Sequence, residues 1–84
     1  MLIRNQLGLH ARACALFVKM AARYKSEVWV ARDDLEVNGK SIMGVMMLAA
    51  EQGSRIEVTA TGPQADEALQ ALSALVAARF HEDE

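Results

Sequence analysis

The stretch Gly8-Leu9-His10-Ala11-Arg12-Ala13-Cys14 brings three reactive side chains together: an imidazole, a guanidinium two residues on, and a thiol four residues on. If His10 is the N-cap of a helix, the backbone N–H groups of Ala11, Arg12 and Ala13 have no partner inside that helix and point back toward the ring. Such an end is an anion site. A phosphoryl group on a ring nitrogen would meet those donors, the positive end of the helix dipole and the Arg12 guanidinium, whose geometry suits phosphate. A histidine so placed can act as a nucleophile, although a histidine before a helix is more often a plain polar loop residue. His10 and Cys14 also have the four-residue spacing that binds a metal on a helix face, but no further ligand lies close in sequence and a structural zinc takes four. Cys14 reads better as a buried core thiol. No glutamine, asparagine or acid stands where it would orient a Cys/His pair, so thiol hydrolase chemistry ranks lower still.

A second chemical stretch is Asn38-Gly39-Lys40-Ser41-Ile42-Met43-Gly44-Val45-Met46. Ser41 is a good helix N-cap, satisfying backbone donors with no regulation implied. An exposed helix N-terminus is also where a phosphate on that serine is well accommodated, so the two roles are compatible. The helix that follows is unusually apolar. A methionine-rich face is more often core than binding surface, and Met43, Met46 and Met47 cannot all point the same way on a helix, so residue type alone places most of them in the core.

These residues need elements to hold them. Leu2 to Asn5 reads as a short strand, after which Gly8 gives the chain freedom to turn. Phe17, Val18 and Ala21 recur at helical spacing behind Cys14, so Ala11 to Arg23 is expected to form an amphipathic helix that begins just after His10. Glu27 to Val30 and Leu35 to Val37 read as the two strands of a hairpin, with Asp33-Asp34 in its turn. Ser41 then caps a short helix over Ile42 to Ala50, ended by Gly53. Arg55 to Thr61 alternates, with Ile56, Val58 and Ala60 on one side and Glu57, Thr59 and Thr61 on the other, as a strand with one wet face does. A last helix opens at Gly62-Pro63, carries Asp66 and Glu67 in its first turn, and presents Ala65, Ala68, Leu69, Leu72, Val76 and Phe80 as its apolar stripe. Helices on one face of an antiparallel sheet make an α+β two-layer sandwich, of order βαββαβα.

The 84 residues suit one domain, spanning 1–84, because a second core would have too little apolar surface. Hydrophobic residues at 52% and charged ones at 24% fit a packed soluble chain rather than a disordered one. The formal net charge of −2, with acids gathered in the tail His81-Glu82-Asp83-Glu84, offers no basic surface to neutralise a phosphate backbone, which argues against nucleic acid. A single cysteine, no secretory pattern and no apolar run long enough to cross a bilayer point to a cytoplasmic protein with no membrane insertion.

The segment GLHAR near the start, followed in register by NGKSIMGVM, closely resembles the HPr family, the histidine-containing phosphocarriers of the bacterial phosphoenolpyruvate-dependent sugar phosphotransferase system. The resemblance covers nearly the whole chain and implies an open-faced sandwich of four antiparallel strands covered on one face by three helices. It implies that His10 accepts a phosphoryl group from enzyme I and passes it to sugar-specific IIA proteins, with Arg12 beside it to stabilise charge. It further implies that Ser41 matches a serine that HPr kinase/phosphorylase modifies in many bacteria. Ala11, Ile42, Met43 and Met46 match positions on which partners dock. Such a carrier is expected to be a monomer without cofactor or metal, and not an independent catalyst. The chain departs from the family at two places. Ala13 follows Arg12 where proline is usual, which loosens the first turn slightly but adds an N–H donor. Only Met1 to Asn5 precede Gln6, where family members usually carry several more residues, so the first strand is expected to be short or frayed. Two other readings compete: an HPr-type regulatory module acting through Ser41 and contacts with kinases or transcription factors, and a small-ligand-binding α+β domain, which would need a polar pocket that the sequence does not locate.

Overall fold

Ala13, Cys14, Phe17 and Ala21 follow one another at spacings of one, three and four residues, and all four are buried on the inner side of helix α1 (Ala11–Ala21). This is the expected helix, shorter by two residues at its end. The computed structural model describes residues 1–82; of the acidic tail, Asp83 and Glu84 lie outside the described residues. Strands β1 (Glu27–Arg32) and β2 (Leu35–Asn38) form the hairpin, joined through Asp33-Asp34. Helix α2 (Ile42–Met47), strand β3 (Glu57–Thr61) and helix α3 (Ala65–Ala77) complete the order.

The sheet runs β2-β1-β3, antiparallel throughout, with Trp29 opposite Asn38 on one side and Thr59 on the other. Its two faces differ as the alternation requires. Val28, Val30 and Val37 are buried and join Phe17, Leu72, Val76 and Phe80 in the core, while Val58 and Ala60 pack against that cluster half-buried. Glu27, Trp29, Thr59 and Thr61 face outward. α1 packs against both α2 and α3, and α3 lies against β3. The result is a two-layer α+β fold with three helices over a three-stranded sheet.

The fourth strand expected from Leu2 to Asn5 is not formed as such; among the described residues that segment contributes one isolated bridge, Leu2 to Arg55. Met1 and Ile56 exchange two hydrogen bonds, at 2.6 and 2.8 Å, and Ile3 donates to Ser54 at 2.9 Å. There the ladder stops, because the Ser54 N–H is already spent on Glu51 at 3.0 Å and Gly53 supplies the N–H to the Ile3 carbonyl instead. The pairing ends in a bulge rather than continuing as a strand.

Two further boundaries differ from expectation. α2 stops at Met47, not Ala50, because Leu48 and Ala49 close it with tight three-residue bonds and Ala49 takes a left-handed φ of 47°. The Arg32 guanidinium, reaching over from the hairpin, accepts that end by donating to the carbonyls of Leu48 and Ala49 at 3.0 and 2.9 Å. Phe80 is buried as expected but does not lie on α3. It sits in a single turn, Arg79–His81, whose three residues all have positive φ (58°, 54° and 60°).

Candidate functional site

His10 is the N-cap of α1, in extended backbone, with its carbonyl taking the first intrahelical bond from Cys14 at 2.9 Å. The loop before it is built for this placement. Gly8 has a φ of +66°, and a Cβ there would meet the Ala50 carbonyl oxygen at 2.5 Å, so only glycine lets the loop lie on the chain leaving α2. Leu9 then donates to Ala50 at 2.8 Å, and His10 donates to Gly8 at 3.0 Å. The imidazole is therefore delivered to the helix start by a loop pinned from both sides.

The His10 side chain does not cap its own helix. Its Nε2 instead meets Glu82 Oε1 at 2.5 Å, across 72 residues of sequence. With the carboxylate accepting, Nε2 carries the hydrogen and Nδ1 is left with its lone pair. Asn5, fully buried, ties the arrangement together: its Nδ2 donates to Gly8 O at 2.7 Å and to Glu82 Oε1 at 2.8 Å. Asn5 Oδ1 is buried with no hydrogen-bond partner among the described residues. Burial works against the Glu82 carboxylate, but the hydrogen bonds from the His10 and Asn5 side chains and the Leu7 backbone, with the attraction of His10, outweigh it and hold the group below the usual glutamate range. Neither Asn5 nor Glu82 was expected at the site: Asn5 precedes His10 by only five residues but falls in the expected first strand, and Glu82 falls in the acidic tail.

Around the ring, the first turn of α1 holds no acid, and both Ala11 and Arg12 are exposed. A cation in the first turn opposes the helix dipole by about 0.3–1 kcal/mol, so Arg12 is not placed there for the helix's own stability. An arginine in the first turn and the N–H groups of a helix start do suit an anion. Cys14 lies one turn on but is fully buried, its Sγ donating to the Leu9 carbonyl at 3.4 Å, and burial pushes its thiol up to about 11. It is the core thiol expected from its position, not a partner of His10 in nucleophilic chemistry. Among the described residues, no group of three or more His, Cys, Asp or Glu side chains is placed to hold a metal ion.

Ser41 is the N-cap of α2, its Oγ accepting from the Gly44 N–H at 3.0 Å. Val45 is the one fully buried residue of this six-residue helix. The reading that put most of its methionines in the core is overturned: Met43 is 78% exposed, Met47 66%, and Ile42 and Met46 42% each. A helix this short, joined to the core mainly through Val45 and the following Leu48, has no inner face wide enough for them. Leu7, 68% exposed in the loop that lies on the end of α2, is a further large apolar side chain in water that was not singled out from the sequence. Ile42, Met43, Met46 and Met47 thus gather four exposed apolar side chains on one short element.

The family model whose description is "PTS HPr component phosphorylation site" matches residues 1–78. The phosphocarrier protein HPr of Neisseria meningitidis serogroup A is 52% identical over 82 residues, covering 98% of this chain and 92% of its own. A crystal structure of HPr from Thermoanaerobacter tengcongensis superposes with a TM-score of 0.95 at 43% identity, over 100% of this chain and 94% of that one. Crh of Bacillus subtilis, a catabolite repression protein whose crystal structure is a swapped dimer, is similar at a TM-score of 0.80 and 42% identity, over 94% and 91% of the two chains.

Proposed function

Because the chain belongs to the HPr family, the phosphocarriers of the bacterial phosphotransferase system, we propose that His10 is its phosphoryl acceptor and donor. It takes the group from phosphorylated enzyme I on Nδ1 and passes it to sugar-specific IIA proteins. The observation that carries this reading is the imidazole standing at the N-terminus of α1 with Nε2 engaged by Glu82, which leaves Nδ1 as the nitrogen with a lone pair. Arg12 and the N–H groups of the first turn receive the charge of the phosphoryl oxygens.

Partners meet the carrier, acting as a monomer in the cytoplasm, over Ala11, Ile42, Met43 and Met46. All four are exposed, and transfer between two proteins requires a close and water-poor approach to the histidine. Ser41 is the regulatory position, modified by an HPr kinase/phosphorylase where one is present. A phosphate there sits at a helix start whose donors can hold it without unfolding α2.

Incubation with phosphoenolpyruvate and a cognate enzyme I is expected to add one phosphoryl group to the wild type and none to His10→Ala, read by intact mass. An unchanged wild-type mass, or an equal gain in the alanine variant, overturns the assignment.

A further inference from the structure

We propose that Glu82, strapped in place by Asn5, is a positioning residue for phosphoryl transfer at His10: its carboxylate fixes the ring through Nε2 and balances the positive charge the ring acquires when Nδ1 is phosphorylated. The proposal rests on the reading of His10 as phosphoryl acceptor. It adds residues that lie outside the chemistry of the helix start and, for Glu82, beyond the residues 1–78 that the family model matches.

The electron bookkeeping makes the carboxylate useful. The Nδ1 lone pair forms the N–P bond, and the bond from phosphorus to the donor's phosphorylated group breaks with its pair leaving on the donor. No proton needs to move, since Nε2 keeps its hydrogen. The ring that was a neutral imidazole is then an N-phosphoimidazolium, and its positive charge lies against the Glu82 carboxylate at the far side of the ring. On onward transfer the N–P bond breaks with its pair returning to Nδ1, and the leaving ring is again neutral because Nε2 is still protonated. The same contact therefore serves both directions, by holding the tautomer and by stabilising the charge that appears between them.

Three observations argue that the contact is built rather than incidental. Asn5 is fully buried with Oδ1 unpartnered among the described residues, an arrangement that costs stability and that an apolar side chain would avoid. Its Nδ2 joins the loop that delivers His10 to the carboxylate that holds it, through Gly8 O and Glu82 Oε1. Second, Glu82 reaches the ring only because the chain after α3 makes a turn with three consecutive positive φ angles at Arg79, Phe80 and His81. None of these is glycine, and left-handed backbone is unfavourable for each. The turn is held at one end by Phe80, 1% exposed in the core, and at the other by the bonds to Glu82. Third, the Glu82 side chain is itself 9% exposed and the His10 side chain 27%, so the pair is partly shielded from the water that would screen it.

The test uses the full chain with phosphoenolpyruvate and enzyme I, comparing wild type, Glu82→Gln and Glu82→Ala. Glu82→Gln keeps the shape and an acceptor oxygen but removes the charge, which guards against a variant that fails only by losing its fold. The rate of His10 phosphorylation is expected to fall in both variants, by roughly 10- to 100-fold in Glu82→Ala, the loss seen when a carboxylate that orients a metal-ligating histidine is removed. The thermal midpoint of Glu82→Gln should stay near that of the wild type. In the proton spectrum, the wild type should show a downfield imidazole N–H signal from His10, protected from exchange and absent in Glu82→Ala. A wild type that gains mass while both variants match its rate overturns this proposal alone, as does a variant that transfers faster, which would make Glu82 a plug on the histidine. A wild type that gains no mass overturns the carrier reading and this proposal with it.

Discussion

Replacing Ser41 by alanine separates two roles that the residue's position superimposes. α2 has only six residues, and the one side-chain cap at its start is the bond from the Gly44 N–H to Ser41 Oγ at 3.0 Å. Losing a serine N-cap costs about 1 kcal/mol. In a domain of this size that lowers the thermal midpoint by roughly 4–8 °C. The cost is not made up elsewhere, because Val45 alone among the residues of α2 is fully buried. Ser41→Asp is the counterpart: aspartate caps as well as serine and its charge favours a helix start, so its midpoint should stay close to the wild type. The variants should exchange order in transfer from enzyme I. Ser41→Ala leaves the surface beside Ile42 and Met43 uncharged and should accept phosphate at the wild-type rate. Ser41→Asp places a strongly hydrated carboxylate there, which must be partly desolvated when a partner docks, and should accept more slowly. Thermal unfolding and single-turnover transfer on the same preparations check both halves. An alanine variant that melts with the wild type refutes the cap argument, and an aspartate variant that transfers at the wild-type rate, or fails only because it has unfolded, removes the regulatory reading of Ser41.

Three further outcomes follow from the packing and charges described. Met43→Ala and Met46→Ala should weaken binding to enzyme I by about 2 kcal/mol where either is an anchor of the interface, while leaving the fold intact because both side chains are exposed; calorimetric titration with wild-type affinity in both would show that partners dock elsewhere. The Cys14 thiol, fully buried and raised from 9.0 to about 11, should resist alkylation in the native protein and react once the chain is unfolded, and because only the unfolded thiol ionises between 9.0 and about 11, the fold should lose stability as pH rises through that window; labelling followed by mass measurement, and unfolding midpoints against pH, test each part. Glu82 is held below the usual glutamate range, so its contact with His10 should persist at neutral pH and be lost as pH falls through that lowered value; loss of the His10 imidazole N–H signal already near neutrality would contradict the geometry.

What was legible in the sequence is what depends on near neighbours. The helical recurrence of Phe17, Val18 and Ala21 behind Cys14, the hairpin turn at Asp33-Asp34 and the alternation up to Thr61 are each determined within a dozen residues, and each formed, although Val18 is only half-buried, Ala13 joins the buried side and the last strand starts at Glu57 rather than Arg55. The position of His10 at a helix start was legible for the same reason, since Gly8 and the apolar run after it lie alongside. What the sequence hid was decided by groups arriving from elsewhere. α2 ends where Arg32 of the hairpin takes its carbonyls, and the first segment stops pairing where Ser54 has spent its N–H on its own turn. The acid on His10 was the least legible feature. Acids at the end of a chain read as solvated charge, and a path that turns through three left-handed residues without a glycine is one that local rules count against. Such a path persists only where the contacts at its two ends together exceed its strain. Here those ends are Phe80 in the core and Glu82 on the imidazole, so the burial that completes the fold is also what carries the carboxylate to His10.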